Sequence, residues 1–244
     1  MSRRVIVTTI MLLLCLSGVI GQSKEARLKI AHLTEDFYVF TTFGSFKGLT
    51  ITANGMYVVT AAGVVLFDTP WDTTQFQPLL DSIRVRHGKD VILIIATHFH
   101  DDRTGGLEYY KQKGIRTYTT RKTDELSSQR GQKRAEFLID KDTLFNVGQY
   151  SFQTYFPGEG HTKDNIVIWF ERERILYGGC LIKSITDHDL GNLSDASVKD
   201  YPGTIRNIQR KCKRAKYIIT GHNDWTSLKS LDHTLRMAEM LQKE

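Results

Sequence analysis

The sequence predicts an α/β protein of the αββα type, two β-sheets packed face to face with helices outside. Two observations lead there. A strand-rich stretch followed by helices occurs twice along the chain, and each half carries apolar faces that only a layered arrangement covers. The halves share no visible repeat, so residues 22–244 are expected to form one domain, and 244 residues suffice for a sizeable core. A single ordinary α/β sheet gives the same periodicity and stays open as an alternative.

The N-terminus stands outside this fold. "MSRR" precedes the apolar run 5–20, and small residues follow, the layout of a secretory signal peptide (1–21) with cleavage expected before Gln22. The run has 16 residues, short of the roughly 20 a membrane span needs, so no span is expected. Lipid attachment at Cys15 is disfavoured because "LLLC" lacks a small residue before the cysteine. A protein exported to the periplasm by its signal peptide is the expectation.

From there strands come first. Segments 37–43, 49–53, 56–61 and 63–68 are short and rich in β-branched and aromatic residues, with "NG" at 54–55 reading as a hairpin turn. Residues 72–88 read as a helix, capped by Asp72 and ended by Gly88. The run 90–97 is a buried strand, 105–114 a helix, 115–120 a strand and 122–130 a short helix. Strands resume in "TLFNVG", "YSFQTYF", "NIVIWF" and "RILYGG". A helix over about 197–212, a strand at 216–220 and a helix over 227–243 complete the chain.

Composition is ordinarily globular, 41% hydrophobic and 25% charged. The formal charge of +6 is scattered among acids, and the one cluster, "RKCKR" at 210–214, reads as a solvated helix face. No nucleic-acid partner is expected.

The chemistry concentrates in "THFHDDRTGG" (97–106), directly after the apolar run "VILIIA". His98, His100 and Asp102 lie at i, i+2 and i+4, so a continuing strand places them on one face and Asp101 on the other. A helical turn still pairs 98 with 102, and both geometries prefer Asp102 to Asp101. Imidazole and carboxylate suit zinc; a polar loop at a strand end fits this segment alone equally well. Three further elements share the design of a core strand bordering a ligand-type residue: His161 in "PGEGHTKDNIVIW", Cys180 in "LYGGCLIK" and His222 in "IITGHNDW". Site residues of layered α/β folds collect at strand ends in this way.

The ordered set H-x-H-x-D, G-H-T, G-G-C-L-I-K, G-N-L-S-D-A and G-H resembles the metallo-β-lactamases, in the subclass with a three-histidine site and an Asp-Cys-His site. The likeness runs from about Leu28 to the C-terminus. It implies that His98, His100 and His161 hold one zinc and Asp102, Cys180 and His222 a second. Cys180 would bind as thiolate, which argues against a Cys180–Cys212 disulfide and leaves Cys212 a free thiol. The implied activity is hydrolysis of the β-lactam amide of penicillins, cephalosporins and carbapenems by zinc-activated water without an acyl-enzyme, conferring antibiotic resistance. Asp102 and Asn192 are the implied catalytic side chains. Lys183 and Asn192 are the implied substrate contacts, Lys183 for the substrate carboxylate. Asp68, Thr97 and Arg103 are implied supports beneath the ligands. Segment 42–48 resembles the loop that closes over substrate, with Phe43 and Phe46 as apolar cover. A small-molecule β-lactam is the expected partner and a monomer the expected state.

Two rivals remain at this point. Relatives that hydrolyse thioesters, lactones or phosphoesters typically show a further histidine where Arg103 stands and an aspartate where Cys180 stands, and a guanidinium cannot bind zinc. A non-catalytic exported zinc protein would tolerate a closed four-ligand site, whereas six candidates over two centres leave room for water. Asn223 departs from the glycine that commonly follows the last histidine, which bears on the site rim and substrate preference and not on the ligand set.

Overall fold

The computed structural model describes residues 28–243; the signal-peptide segment and Cys15 lie outside them. Twelve strands and six α-helices follow in the order β1 (Lys29–Thr34), β2 (Phe37–Phe46), β3 (Leu49–Thr60), β4 (Gly63–Phe67), α1 (Phe76–His87), β5 (Val91–Ile95), α2 (Asp101–Thr104), α3 (Leu107–Gln112), β6 (Arg116–Thr120), α4 (Arg121–Arg130), β7 (Phe137–Ile139), β8 (Leu144–Val147), β9 (Tyr150–Tyr155), β10 (Val167–Phe170), β11 (Ile175–Gly179), α5 (Tyr201–Lys211), β12 (Tyr217–Thr220) and α6 (Ser230–Leu241). The seven-stranded sheet runs β1 to β7 in sequence order, and the five-stranded sheet runs β12-β11-β10-β9-β8.

The two halves are built alike. In each, four antiparallel strands (β1 to β4, and β8 to β11) are followed by a helix that returns the chain to a parallel neighbour, β5 or β12. Strand β4 shows why two sheets form. Val65 and Phe67 face the opposing sheet with Leu93 and Ile95, meeting Phe152, Phe170 and Tyr177. Val64 and Leu66 face outward, under Phe76, Leu79 and Ile83 of α1 and Tyr110 of α3. A strand covered on both faces reads as a continuous apolar run. On the far side Tyr201, Ile205 and Ile208 of α5 and Leu231 of α6 cover Val167, Leu176 and Ile218. The αββα sandwich is therefore the observed architecture.

Several local expectations change. "NG" at 54–55 is not a turn: Asn54 and Gly55 lie inside the single long strand β3, paired with Thr41 and Phe40. The hairpin instead turns at Lys47 and Gly48, both with positive φ (50° and 78°), the pattern of a two-residue turn whose twist matches that of the strands. The helix expected over 105–114 is shortened to α3 (107–112), and a separate helical turn, α2 (101–104), precedes it. Strands β1 and β7 were not anticipated: β1 is a largely exposed edge and β7 has three residues. The helix 72–88 begins as a 3-10 turn in which Asp72 accepts from Thr74 N, as its capping role requires.

Candidate metal centre

The six ligand-type residues lie at one rim of the sandwich. Strand β5 ends at Ile95, and the chain bends through His98–His100 before Asp101 opens α2 with His100 as its N-cap in extended conformation. The segment is thus neither a continuing strand nor a helix from 98 onward. Asp102 is buried in the first turn of α2 and Asp101 is exposed, the distinction drawn from spacing. Cys180 follows β11 directly and His222 lies two residues past β12. His161 sits in the long loop between β9 and β10, six residues before the strand. Gly221 is obligatory for packing: a Cβ there would stand 2.5 Å from Cys180 N.

Two clusters result. The rings of His98, His100 and His161 have centroids 4.8–5.0 Å apart, nearly perpendicular to one another. Among the described residues, His98, His100 and His161 form one group with ligand atoms within 4.8 Å of each other, and His98, Asp102 and Cys180 form another. His222 joins the second, its Nε2 3.1 Å from Cys180 Sγ and 3.3 Å from Asp102 Oδ2. Every residue expected at a metal is therefore brought together.

The donors fit a metal. Both ring nitrogens of His161 are buried without a hydrogen-bond partner, an arrangement that costs about 1–3 kcal/mol per group unless something else satisfies it. Burial, with the neighbouring cations, holds His98 and His161 well below the usual histidine range, in the neutral form a metal requires. At His222 burial opposes charge, yet the Cys180 sulfur and Asp102 carboxylate outweigh it and lift the pKa to about 9, so this cluster attracts cations. Imidazole, thiolate and carboxylate are the zinc donor types.

Beneath the ligands lies a buried ionic network centred on Arg103, itself 1% exposed. Its Nε donates to Cys180 Sγ (3.1 Å), Nη1 to Asn54 O (2.7 Å) and Nη2 to Gly221 O (2.8 Å). Nη2 also lies 2.9 Å from Asp102 Oδ2, and Nη1 3.6 Å from Asp68 Oδ2. Burial works against ionised Asp102, but the guanidinium prevails and holds its carboxyl well below the usual range. Asp68 accepts from Thr97 N (2.7 Å), Thr97 Oγ1 (2.9 Å) and Tyr177 OH (2.6 Å), while burial pushes its pKa up to about 6. Asp68, Thr97 and Arg103 thus occupy the supporting positions expected of them. Cys180 and Cys212 are both free thiols.

The clusters open into a cavity of about 660 Å³, lined by Phe46, Trp71, Lys183, Asn192 and His222 among others. The Lys183 ammonium lies close under the 184–196 loop, 3.8 Å from the point a Cβ on Gly191 would occupy, and burial draws its pKa down. Asn192 Oδ1 accepts from Ser194 N, which leaves the amide nitrogen as its outward donor. Phe46 lines the cavity from the hairpin, whereas Phe43 lies at its root, its N and O both paired with the Gln75 side chain.

Sequence reading missed four participants. Tyr177 and Asn54 complete the network below Arg103, and Asp195 accepts from Arg130 (2.8 Å) while its other oxygen lies 3.2 Å from His100 Nε2. Asp195 stands in the quoted "GNLSDA", so its signal was visible. Trp71, edge-on to His222 at 6.4 Å, lies three residues after Asp68 in "LFDTPW" (66–71).

Two sheets back to back, with ligand-type residues converging at one rim, define a metal-dependent hydrolase architecture. A family model described as the metallo-β-lactamase superfamily matches residues 51–222. The metallo-β-lactamase type 2 of Elizabethkingia meningoseptica is 42% identical over 236 residues, 96% of this chain and 95% of that protein. Metallo-β-lactamase IND-1 of Chryseobacterium indologenes is 42% identical over 212 residues, 87% of each. The crystal structure of metallo-β-lactamase IND-7 superposes with a TM-score of 0.84 at 40% identity, covering 89% of this chain and 100% of that one. The chain belongs to the metallo-β-lactamase superfamily.

Proposed function

We infer that this chain is a zinc-dependent β-lactamase that opens the β-lactam amide and so confers resistance to these antibiotics. The observation that carries the site assignment is the convergence of the six donors in two clusters at the floor of one cavity. In this reading His98, His100 and His161 hold one zinc, and Asp102, Cys180 and His222 hold a second. Zinc supplies a Lewis acid for the lactam carbonyl and brings a water within reach of deprotonation near neutral pH.

The chain's own residues do the rest. Lys183 at the cavity wall binds the substrate carboxylate as a point charge on a long stem. The Asn192 amide donates toward the carbonyl oxygen, where negative charge grows as the ring opens. Asp102 contributes its carboxylate at the second cluster, held ionised and aligned by Arg103. Arg103 also donates to Cys180 Sγ, fixing its position. Phe46 and Trp71 cover the apolar part of the substrate and exclude water.

The apolar run 5–20 supports export to the periplasm with a mature chain from Gln22. No helix of the described residues is long and apolar enough to cross a membrane. One inter-sheet core underlies the site, which supports a single domain over 22–244, and one chain supplies every site residue, which supports action as a monomer. Hydrolysis of a carbapenem and a cephalosporin, followed by loss of lactam absorbance with and without a chelator, tests the activity. Turnover abolished by chelator is expected; absence of turnover of either compound refutes it.

A further inference from the structure

Asn223 ties together the two walls of the substrate cavity. Its φ is 55°, a left-handed conformation that asparagine tolerates better than most residues other than glycine. From it the Nδ2 donates to Asp187 Oδ1 (2.6 Å) and Oδ1 accepts from Thr52 Oγ1 (3.3 Å). The backbone N of Asn223 donates to Thr52 Oγ1 (3.0 Å), and its carbonyl accepts from Asn54 Nδ2 (3.0 Å).

Both ends of the tie are anchored. Thr52 lies on β3 in register with Phe43, at the root of the hairpin whose Phe46 covers the cavity. Asp187 lies in the loop that carries Asn192 and begins just after Lys183. Its Oδ2 accepts from Ser184 N (2.9 Å), and its backbone carbonyl is 2.8 Å from His233 Nε2 of α6. Asn223 and Asp187 both line the cavity alongside Lys183, Asn192 and His222. The bridge therefore crosses the rim between the hairpin and the substrate-binding loop.

We propose that Asn223 is a specificity-determining positioning residue: its tie to Asp187 fixes the width of the rim and excludes β-lactams with bulky substituents on that side. This rests on the β-lactamase reading above. The Asn223 side chain hydrogen-bonds none of the metal donors. Thr52, whose carbonyl pairs with His222 Nδ1, keeps its bond from the backbone N of residue 223 in a glycine variant, so the side chain's influence falls on KM and not on kcat. Glycine adopts the same backbone conformation without steric strain, which makes Asn223→Gly a removal of the tie that leaves the backbone path in place.

The test compares kcat and KM for a cephalosporin with a bulky, branched acylamino group and a carbapenem with small substituents, in the zinc-loaded enzyme. Asn223→Gly is expected to raise the bulky-to-small ratio of kcat/KM by about five- to tenfold, the scale of one ordinary hydrogen bond, through KM alone. Asn223→Asp places two carboxylates against each other and should shift the ratio the same way. Adding Asp187→Asn to it exchanges donor and acceptor and should restore the wild-type ratio. Hydrogen exchange across residues 184–196 should rise in both single variants and return to the wild-type rate in the exchanged pair. A ratio within twofold of wild type in Asn223→Gly, or a shift that the exchanged pair fails to reverse, overturns the proposal. If the wild-type enzyme turns over no β-lactam, the functional reading fails and the specificity claim with it; turnover with an unchanged ratio overturns the specificity claim alone.

Discussion

Replacing Arg103 with methionine keeps most of the side chain's length and removes its charge. Two fully buried carboxylates, Asp68 and Asp102, then lose their cation, and the carbonyls of Asn54 and Gly221 lose a donor. Removing one partner of a buried ion pair costs about 3–5 kcal/mol. At about 2–4 °C per kcal/mol for a domain of this size, the melting midpoint should fall by roughly 6–20 °C. The loss should be read in chelator, by thermal unfolding, so that zinc binding does not add to the apparent stability. Arg103→Lys keeps the charge but not the fork, because an ammonium cannot serve Cys180, Asn54 and Gly221 from one plane; its loss should be intermediate. In zinc-loaded protein the methionine variant should retain the metal of the Asp102–Cys180–His222 cluster about 10–100-fold less tightly. A midpoint in Arg103→Met within 2 °C of wild type would refute the view that this guanidinium neutralises the site from below.

Three further outcomes follow from the same geometry. Asp68 has a folded pKa of about 6 against about 4 unfolded, so it binds its proton more tightly when folded. Its contribution is full below pH 4 and is lost as pH rises to 6, so the urea stability of wild type relative to Asp68→Asn should decline by roughly 3 kcal/mol over that window; a constant or rising difference contradicts this. Burial pushes the Cys212 thiol up to about 12, so it should resist thiol reagents in native protein, and in protein lacking residues 1–21 two thiols, Cys180 and Cys212, should react after denaturation without reductant. Fewer than two would mean a disulfide. Deleting residues 43–47 removes the Phe46 cover and should raise KM for most substrates by about tenfold, the worth of one partly buried aromatic ring; unchanged kinetics would count against a substrate-covering hairpin.

The layer order and the candidate donors were legible because both leave local signals: apolar runs covered on two faces, and donor residues placed beside strands. Asn54 shows where that ends. Its neighbour Gly55 makes a turn signal, yet in β3 its side chain bonds Thr220 O (3.1 Å) and Asn223 O (3.0 Å), more than 160 residues away. Those bonds outweigh the local preference, and the turn moves to Lys47–Gly48. Arg103 was legible as a non-ligand, and as a support only through the family resemblance; its partners Asn54, Cys180 and Gly221 lie 49, 77 and 118 positions away, beyond any window of local pattern. Strand β1 lacks the buried alternation that marks strands, because it is an exposed edge.

Zinc titration of chelator-treated protein, with metal counted by mass spectrometry and carbapenem turnover recorded at each step, tests the site assignment most directly. Two equivalents per chain are expected, falling to one in Cys180→Ser and in His161→Ala, with turnover restored in wild type as zinc is added. Binding of no zinc, or wild-type stoichiometry in both variants, would contradict the two-cluster site.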